Sequence, residues 1–390
     1  MKNVGTMSIG VKAPIIRRGD NLVPIVVDSV LNASYELNMS LVDKDIVAVT
    51  EAVVAKSQNN YVTLEQISQD VYEKAGKHEK TVGLIFPILS RNRFAHLLKG
   101  ISKGVEQLVI QLSFPSDEVG NPLIDKKIVY EKNSYGLSFT EEEFRKQFEK
   151  VQHPFTGIDY VELYKNIAGP NCKIIFSNDP RFILNYTKTI ICADIHTRNE
   201  TKKILLDMGA QRVLTLANIM TDSINGSGYN PTYGLYGSNV ATETSVKLFP
   251  RDCESFVNSL QTEFKKRTGK NIECMVYGDG AFKDPVGGIW ELADPAVSPG
   301  YTSGLLGQPN ELKFKYLADT EVGHLDKNTA DKELKSMIRN KASGNKTTLG
   351  TTPRQITDLL GSLSDLTTGS GDKGTPIVLI KNYFSNYGDE

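Results

Sequence analysis

Between Val82 and Asn218 the chain alternates short apolar runs with segments of helical spacing, and this rhythm limits the possible folds more than any other feature. The runs at 82–86, 107–112, 173–176, 189–193 and 212–216 are short and mostly apolar and read as strands. Helical segments lie between them, at 93–104 and at 140–152, the second opened by a Thr140 cap. Strand and helix in turn imply βαβ units and a parallel or mixed sheet. The flanks follow another pattern. At 390 residues the chain exceeds a typical single core. The reading is therefore an α+β domain split into 1–81 and 219–390, with an inserted α/β module at 82–218.

In the first flank a strand is expected at 11–16, a turn at Arg17–Arg18–Gly19–Asp20, a helix at 22–34 and a buried strand at 46–49. A helix at 63–75 opens with Thr-Leu-Glu-Gln, a capping-box pattern. In the last flank a helix at 251–268 is stopped by Gly269 and followed by a strand at 272–277. A charged, solvated helix and turn at 331–346, a helix at 353–366 and a strand at 377–380 complete the pattern.

The net charge of −1 supplies no field for nucleic acid or an anionic membrane, and basic residues do not cluster with aromatic ones. No apolar run approaches the ~20 residues that span a bilayer. The N-terminus lacks a basic-then-apolar signal pattern, so a cytoplasmic protein is expected. Cys172, Cys192, Cys253 and Cys274 are too dispersed for a disulfide frame or zinc site and read as small buried hydrophobes.

Candidate chemistry lies in loops. Asp365 to Pro376 runs through Gly369, Gly371 and Gly374 into an apolar strand. Three glycines free several N–H groups to face one anion, and Asp372 and Lys373 add both signs of charge. Asp279 follows another strand between two glycines, and Asp284 comes five residues later. Carboxylates at a strand end suit Mg²⁺ or Mn²⁺ holding phosphate oxygens; an ordinary Asp-Gly turn is the commoner use of such a dipeptide. Lys56 is a possible phosphate-binding charge or a solvated lysine, and Glu51 a metal ligand or a turn cap. Ser90 to Arg93 opens a helix with two arginines suited to a carboxylate or phosphate, or is an ordinary helix cap with exposed arginines. The loops 115–121 and 194–198 are rich in charge, and the second follows a strand. No P-loop is present, no G-x-G-x-x-G opens a helix after a strand, and no G-x-S-x-G forms a nucleophile elbow between a strand and a helix.

Three blocks carry a family resemblance. They are Pro14 to Leu22 with Val47 to Lys56; Gly237-Ser238-Asn239 through Asp252 to Asp279; and Ile356-Thr357-Asp358 through Gly369 to Pro376. In this order they resemble the coenzyme F-420-0:L-glutamate ligase family, gamma-glutamyl ligases that act on a deazaflavin cofactor. The middle, with Pro87 to Phe94, Pro115 to Asn121 and Asp194 to Arg198, resembles a longer bacterial branch of that family.

The resemblance implies a gamma-glutamyl ligase-like α+β fold, a homodimer, and GTP-dependent (or ATP-dependent) amide ligation with Mn²⁺ or Mg²⁺. The acceptor would be a small-molecule carboxylate, deazaflavin-like or folate-like, joined to L-glutamate. Pro14, Ile15, Ile16 and Arg17 would hold the nucleotide, with Glu51 beside it and Lys56 on its phosphates. Asn239 would touch the nucleotide, and Thr368, Gly369, Ser370, Gly371, Asp372, Lys373, Gly374 and Thr375 would wrap the phosphates. Asp279 and Lys56 would be catalytic. The metal would fall to Asp279, Asp284 and Asp372.

The chain also departs from the family pattern. Tyr236, Gly280 and Ser370 stand where the family carries an Asp, a Thr and a Glu. Glu51, Asp284, Asp372, or Asp117 and Glu118 are the available replacements. The same departures allow a non-catalytic nucleotide or metabolite sensor with a degenerate metal site. The acidic loops by themselves also allow a metal-dependent hydrolase.

Overall fold

The computed structural model describes residues 4–91, 93–279, 282–283, 290–291, 294–341, 354–368 and 372–389. Two sheets organise it. The first has five strands in the order β1 (Met7–Val11), β16 (Ile377–Lys381), β2 (Ile46–Thr50), β12 (Glu273–Tyr277), β15 (Gly300–Tyr301). Only β2 and β12 run parallel; the other pairs are antiparallel.

Alternation sorts this sheet into two faces. Val47, Val49, Cys274, Val276, Ile377 and Leu379 face α1 (Leu22–Glu36) and the helix Cys253–Thr268, with Val26, Val30, Val257 and Phe264 buried between. Ile46, Ala48, Met275, Val378 and Ile380 face the helix Ile356–Thr368 through Leu360. Every residue of β12 and β16 is buried, so this sheet is the middle layer of a sandwich.

The second sheet has six strands in the order β6 (Phe139–Thr140), β7 (Cys172–Phe176), β5 (Gln107–Leu112), β4 (Thr81–Ile85), β8 (Thr189–Cys192), β9 (Arg212–Thr215). All pairs are parallel except the β6 edge. From β4 the chain winds outward through β5 and β7, then returns to the other side for β8 and β9. The winding therefore reverses between β4 and β8, where open α/β sheets form their ligand crevice. A three-stranded sheet of β10 (Asn239–Thr242), β11 (Ser245–Lys247) and β3 (Tyr61–Thr63) and a short hairpin of β13 (Phe282–Lys283) and β14 (Trp290–Glu291) complete the strands described.

The packed core of the six-stranded sheet reaches beyond 82–218. Val62, Leu64, Ile67 and Val71 join it from one side, and Leu235, Tyr236, Val246 and Leu248 from the other. Here α3 (Leu64–Val71) lies on α4 (Phe94–Lys103). A Cβ on Gly100 would stand 2.9 Å from the Ile67 side chain, and one on Gly104 2.6 Å from the Ser68 carbonyl oxygen. The helices meet closely because these positions carry no side chain.

Several sequence expectations need adjustment. The first strand is Met7–Val11, not 11–16, because it ends where its partner does: Val11 pairs with Ile377, and Pro376 and Pro14 cannot extend the ladder. The helix expected at 63–75 is α-helical only to Val71 and continues as a π-helical turn, Tyr72–Gly76. Its capping box is present, with Thr63 and Gln66 exchanging hydrogen bonds. The helix from Glu141 stops at Gln147. The helix expected over 331–346 spans Lys327–Asn340, and residues 342–353 lie outside the described residues.

Candidate active site at the junction of the two sheets

Strand register brings distant segments to one end of the five-stranded sheet. Thr50 and Tyr277 close the parallel strands β2 and β12 side by side, so Glu51 and Gly278-Asp279 leave the sheet together. Because β16 is antiparallel to β2, it begins at this same end, and the Thr50 N–H donates to the Pro376 carbonyl at 3.0 Å. β1 ends here too, sending 12–17 across the edge. The Ala13 N–H donates to Gly374 O at 3.4 Å. Tyr277 and Thr368 share a hydroxyl hydrogen bond of 2.9 Å, which places the end of the helix Ile356–Thr368 at the same edge.

Most candidate nucleotide residues therefore converge. The turn after Arg17 is tied back by its N–H to Asp20 at 2.6 Å, and the Gly19 N–H donates to Ser57 O at 2.9 Å. That bond sets the turn beside the end of α2 (Glu51–Ser57), where Lys56 is half-buried. Ile16 is buried, whereas Ile15 is 85% exposed. Asn239 stands opposite Lys247 in the β10–β11 pairing, and the Lys247 ammonium reaches both oxygens of Glu51 at 3.4 Å. Asp372, Lys373 and Gly374 are exposed. The Thr375 hydroxyl is buried, with no hydrogen-bond partner among the described residues. Gly369, Ser370, Gly371, Gly280 and Asp284 lie outside the described residues.

The second sheet contributes Arg93. It follows the carboxyl end of β4 and opens α4. Its guanidinium bridges two carboxylates that follow β12: Nη1 donates to Asp294 Oδ1 at 2.7 Å, and Nη2 pairs with Asp279. Asp294 is buried, at 4% exposure, and its Oδ2 accepts from the Asp279 N–H at 2.8 Å. A Cβ at position 278 would stand 2.5 Å from Asp294 Oδ2, so the glycine before Asp279 admits this carboxylate. Beside Arg93 lies a small, mainly apolar cleft at the β4–β8 reversal, lined by Ile88, Phe94, Ala193, Ile195 and Tyr236.

Electrostatics couple the groups. Burial pushes the Glu51 carboxyl up to about 7; Asp294 and Asp279 act in the same direction, and Lys247 and Arg93 oppose them. Burial alone would lower the Arg93 guanidinium, but Asp294 and Asp279 outweigh it and hold the charge firmly.

The carboxylate oxygens suit the hard donor set of Mg²⁺ or Mn²⁺. As arranged, however, one guanidinium already bridges Asp279 and Asp294, and Lys247 pairs with Glu51. Among the described residues no three His, Cys, Asp or Glu side chains gather to hold an ion. Among the described residues, the arrangement does not fit a resident divalent ion.

The remaining acidic candidates serve the module. Asp117 accepts from the N–H groups of Leu89, Val119 and Asn121 and from the Asn121 amide, and so ties its own loop together. Glu118 accepts from the N–H groups of Ile195, His196 and Thr197. Tyr236 is buried, and its hydroxyl donates to Asp194 O at 2.7 Å.

Ser90–Arg93 reads from sequence as a carboxylate or phosphate site or as ordinary capping; Arg93 does take carboxylates, and they are the protein's own. Asp294 and Lys247 were missed. Neither carries a local signal; one lies in a loop and the other in a short hairpin strand.

No helix among the described residues is long and apolar enough to cross a membrane. No curated protein matches the chain. The family model described as F420-0:gamma-glutamyl ligase does match, over residues 10–382. With that match spanning both sheets and the junction between them, the chain belongs to the F420-0:gamma-glutamyl ligase family.

Proposed function

We propose that the protein is a GTP-dependent ligase that joins the amine of L-glutamate to a carboxylate acceptor at the junction of the two sheets. The observation that carries this reading is the convergence of 13–19, Glu51, Lys56, Asp279 and 374–376 at one end of the five-stranded sheet, with Arg93 reaching in from the module.

In this reading an acceptor carboxylate oxygen attacks the γ-phosphorus of GTP, and GDP leaves. The glutamate amine then attacks the acyl carbon, inorganic phosphate leaves, and an amide remains. The exposed loop at 372–374 and Lys56 face the phosphates, and Pro14 to Arg17 and Asn239 flank the nucleotide. Asp279 orients the reacting end through its contact with Arg93. Mg²⁺ or Mn²⁺ is proposed to arrive with the nucleotide's phosphates rather than to reside on Asp279. The acceptor is F420-0-like, with a folate-like carboxylate next, and the working unit is a homodimer in the cytoplasm.

A second reading, a nucleotide or metabolite sensor without turnover, is favoured by one feature: the acidic pair is already neutralised by Arg93. The two readings separate in a phosphate-release assay with F420-0, GTP and Mg²⁺. A ligase releases phosphate only when L-glutamate is added, in step with glutamylated product. A sensor binds GTP and releases none.

A further inference from the structure

The clash between the expected metal site and the observed ion pairs points to a role for Arg93. It comes from the segment after β4, whereas Asp279 and Asp294 follow β12. Its side chain is 17% exposed and that of Asp294 1%, so solvent does little to screen that contact. Two carboxylates this close repel each other unless a cation lies between them. A planar guanidinium with several donors can satisfy both at once. The Asp279 N–H donating to Asp294 fixes the spacing of the pair from the other side.

We propose that Arg93 is the resident cation of the Asp279–Asp294 pair, supplied by the module, and that it excludes a divalent ion from that pair while no nucleotide is bound. Cation and guanidinium compete for the same oxygens. The module thereby has direct hold of the reaction end of the ligase site: whatever shifts the segment 86–93 shifts the charge on Asp279. The inference draws on the ligase reading for its biological sense but not for its test.

The test is Mn²⁺ binding to the nucleotide-free full chain, followed by the loss of the free-ion electron paramagnetic resonance signal. Wild type, R93Q, R93K and R93Q/D279N are compared, with thermal melts to confirm folding. R93Q is expected to take up one Mn²⁺ per chain at least tenfold more tightly than wild type, and R93Q/D279N to lose that gain. R93K keeps the charge but lacks the planar fork that meets both carboxylates at once, so it gains less. Should R93Q fail to fold, R93K carries the comparison, and its affinity must still exceed that of wild type. Equal Mn²⁺ affinity in wild type and every folded Arg93 variant overturns the proposal, as does a gain that survives loss of Asp279. Failure of the ligase reading alone would appear differently, as no glutamylated product with Mn²⁺ binding still responding to Arg93.

Discussion

Thr50 and Tyr277 stand side by side in register at the ends of two parallel strands, and Glu51 and Asp279 leave the sheet from them. This places one carboxylate buried against Lys247 and another against Arg93 at a single edge. Ligand groups in α/β sheets gather at such carboxyl ends because the backbone turns away and leaves room there.

Asp279 is the residue on which the account depends most. D279N removes a charge and leaves Arg93 with Asp294 alone. The expected result is a fall in glutamate ligation on the order of 100-fold, the scale of losing one positioned electrostatic contact. Thermal stability should change far less. Phosphate release coupled to product formation measures the first effect, and a melting curve the second.

Glu51 gives the protein a pH dependence. Its carboxyl is raised from 4.5 to about 7, chiefly by burial. A folded-state value above the unfolded one means that the folded chain holds the proton more tightly. The resulting stability is complete below about pH 4.5 and is lost as the pH rises through 7. Over that span the loss approaches about 3 kcal/mol. E51Q cannot ionise, so its stability should fall less than that of wild type between pH 5 and 8. Urea unfolding at several pH values checks this, and parallel curves would refute the assignment.

Tyr236 stands where the family pattern has an acidic residue, yet its hydroxyl is committed to the Asp194 carbonyl and its ring is packed in the module core. Y236F should cost about 1 kcal/mol, the worth of one buried hydrogen bond. GTP affinity, read by calorimetry, should be unchanged. A large loss of nucleotide binding would show that the phenol faces the ligand instead.

The α3–α4 contact makes a prediction that involves no chemistry. G104A would put a methyl group 2.6 Å from the Ser68 carbonyl oxygen, which cannot move without disturbing α3. A loss of about 1–3 kcal/mol is expected, as for other overpacked contacts. An unchanged urea midpoint would mean that the helices separate freely.

The sequence was most legible where one local rule decided the outcome. Strand β5 was read to the residue, because Leu108, Val109, Ile110 and Leu112 make it a short, mostly apolar run. The Thr63 capping box was likewise plain from its four-residue pattern. What escaped depended on partners far along the chain. The first strand was misplaced because only pairing with β16 sets its limits. Lys247 acquires meaning from Glu51, 196 residues away, and Asp294 from Arg93, 201 residues away. Arg93 reads as suited to a carboxylate or phosphate, or as an exposed arginine at a helix start, and no local pattern says that it meets internal carboxylates.

The most direct test of the ligase account follows one oxygen atom. F420-0 labelled with heavy oxygen in its terminal carboxylate is incubated with the protein, GTP, Mg²⁺ and L-glutamate, and the released phosphate is analysed by mass spectrometry. If the acceptor carboxylate attacks GTP, each phosphate released carries one labelled oxygen and each product has gained one glutamyl residue. Unlabelled phosphate, released at the same rate without glutamate, would contradict the account and identify the site as a hydrolase.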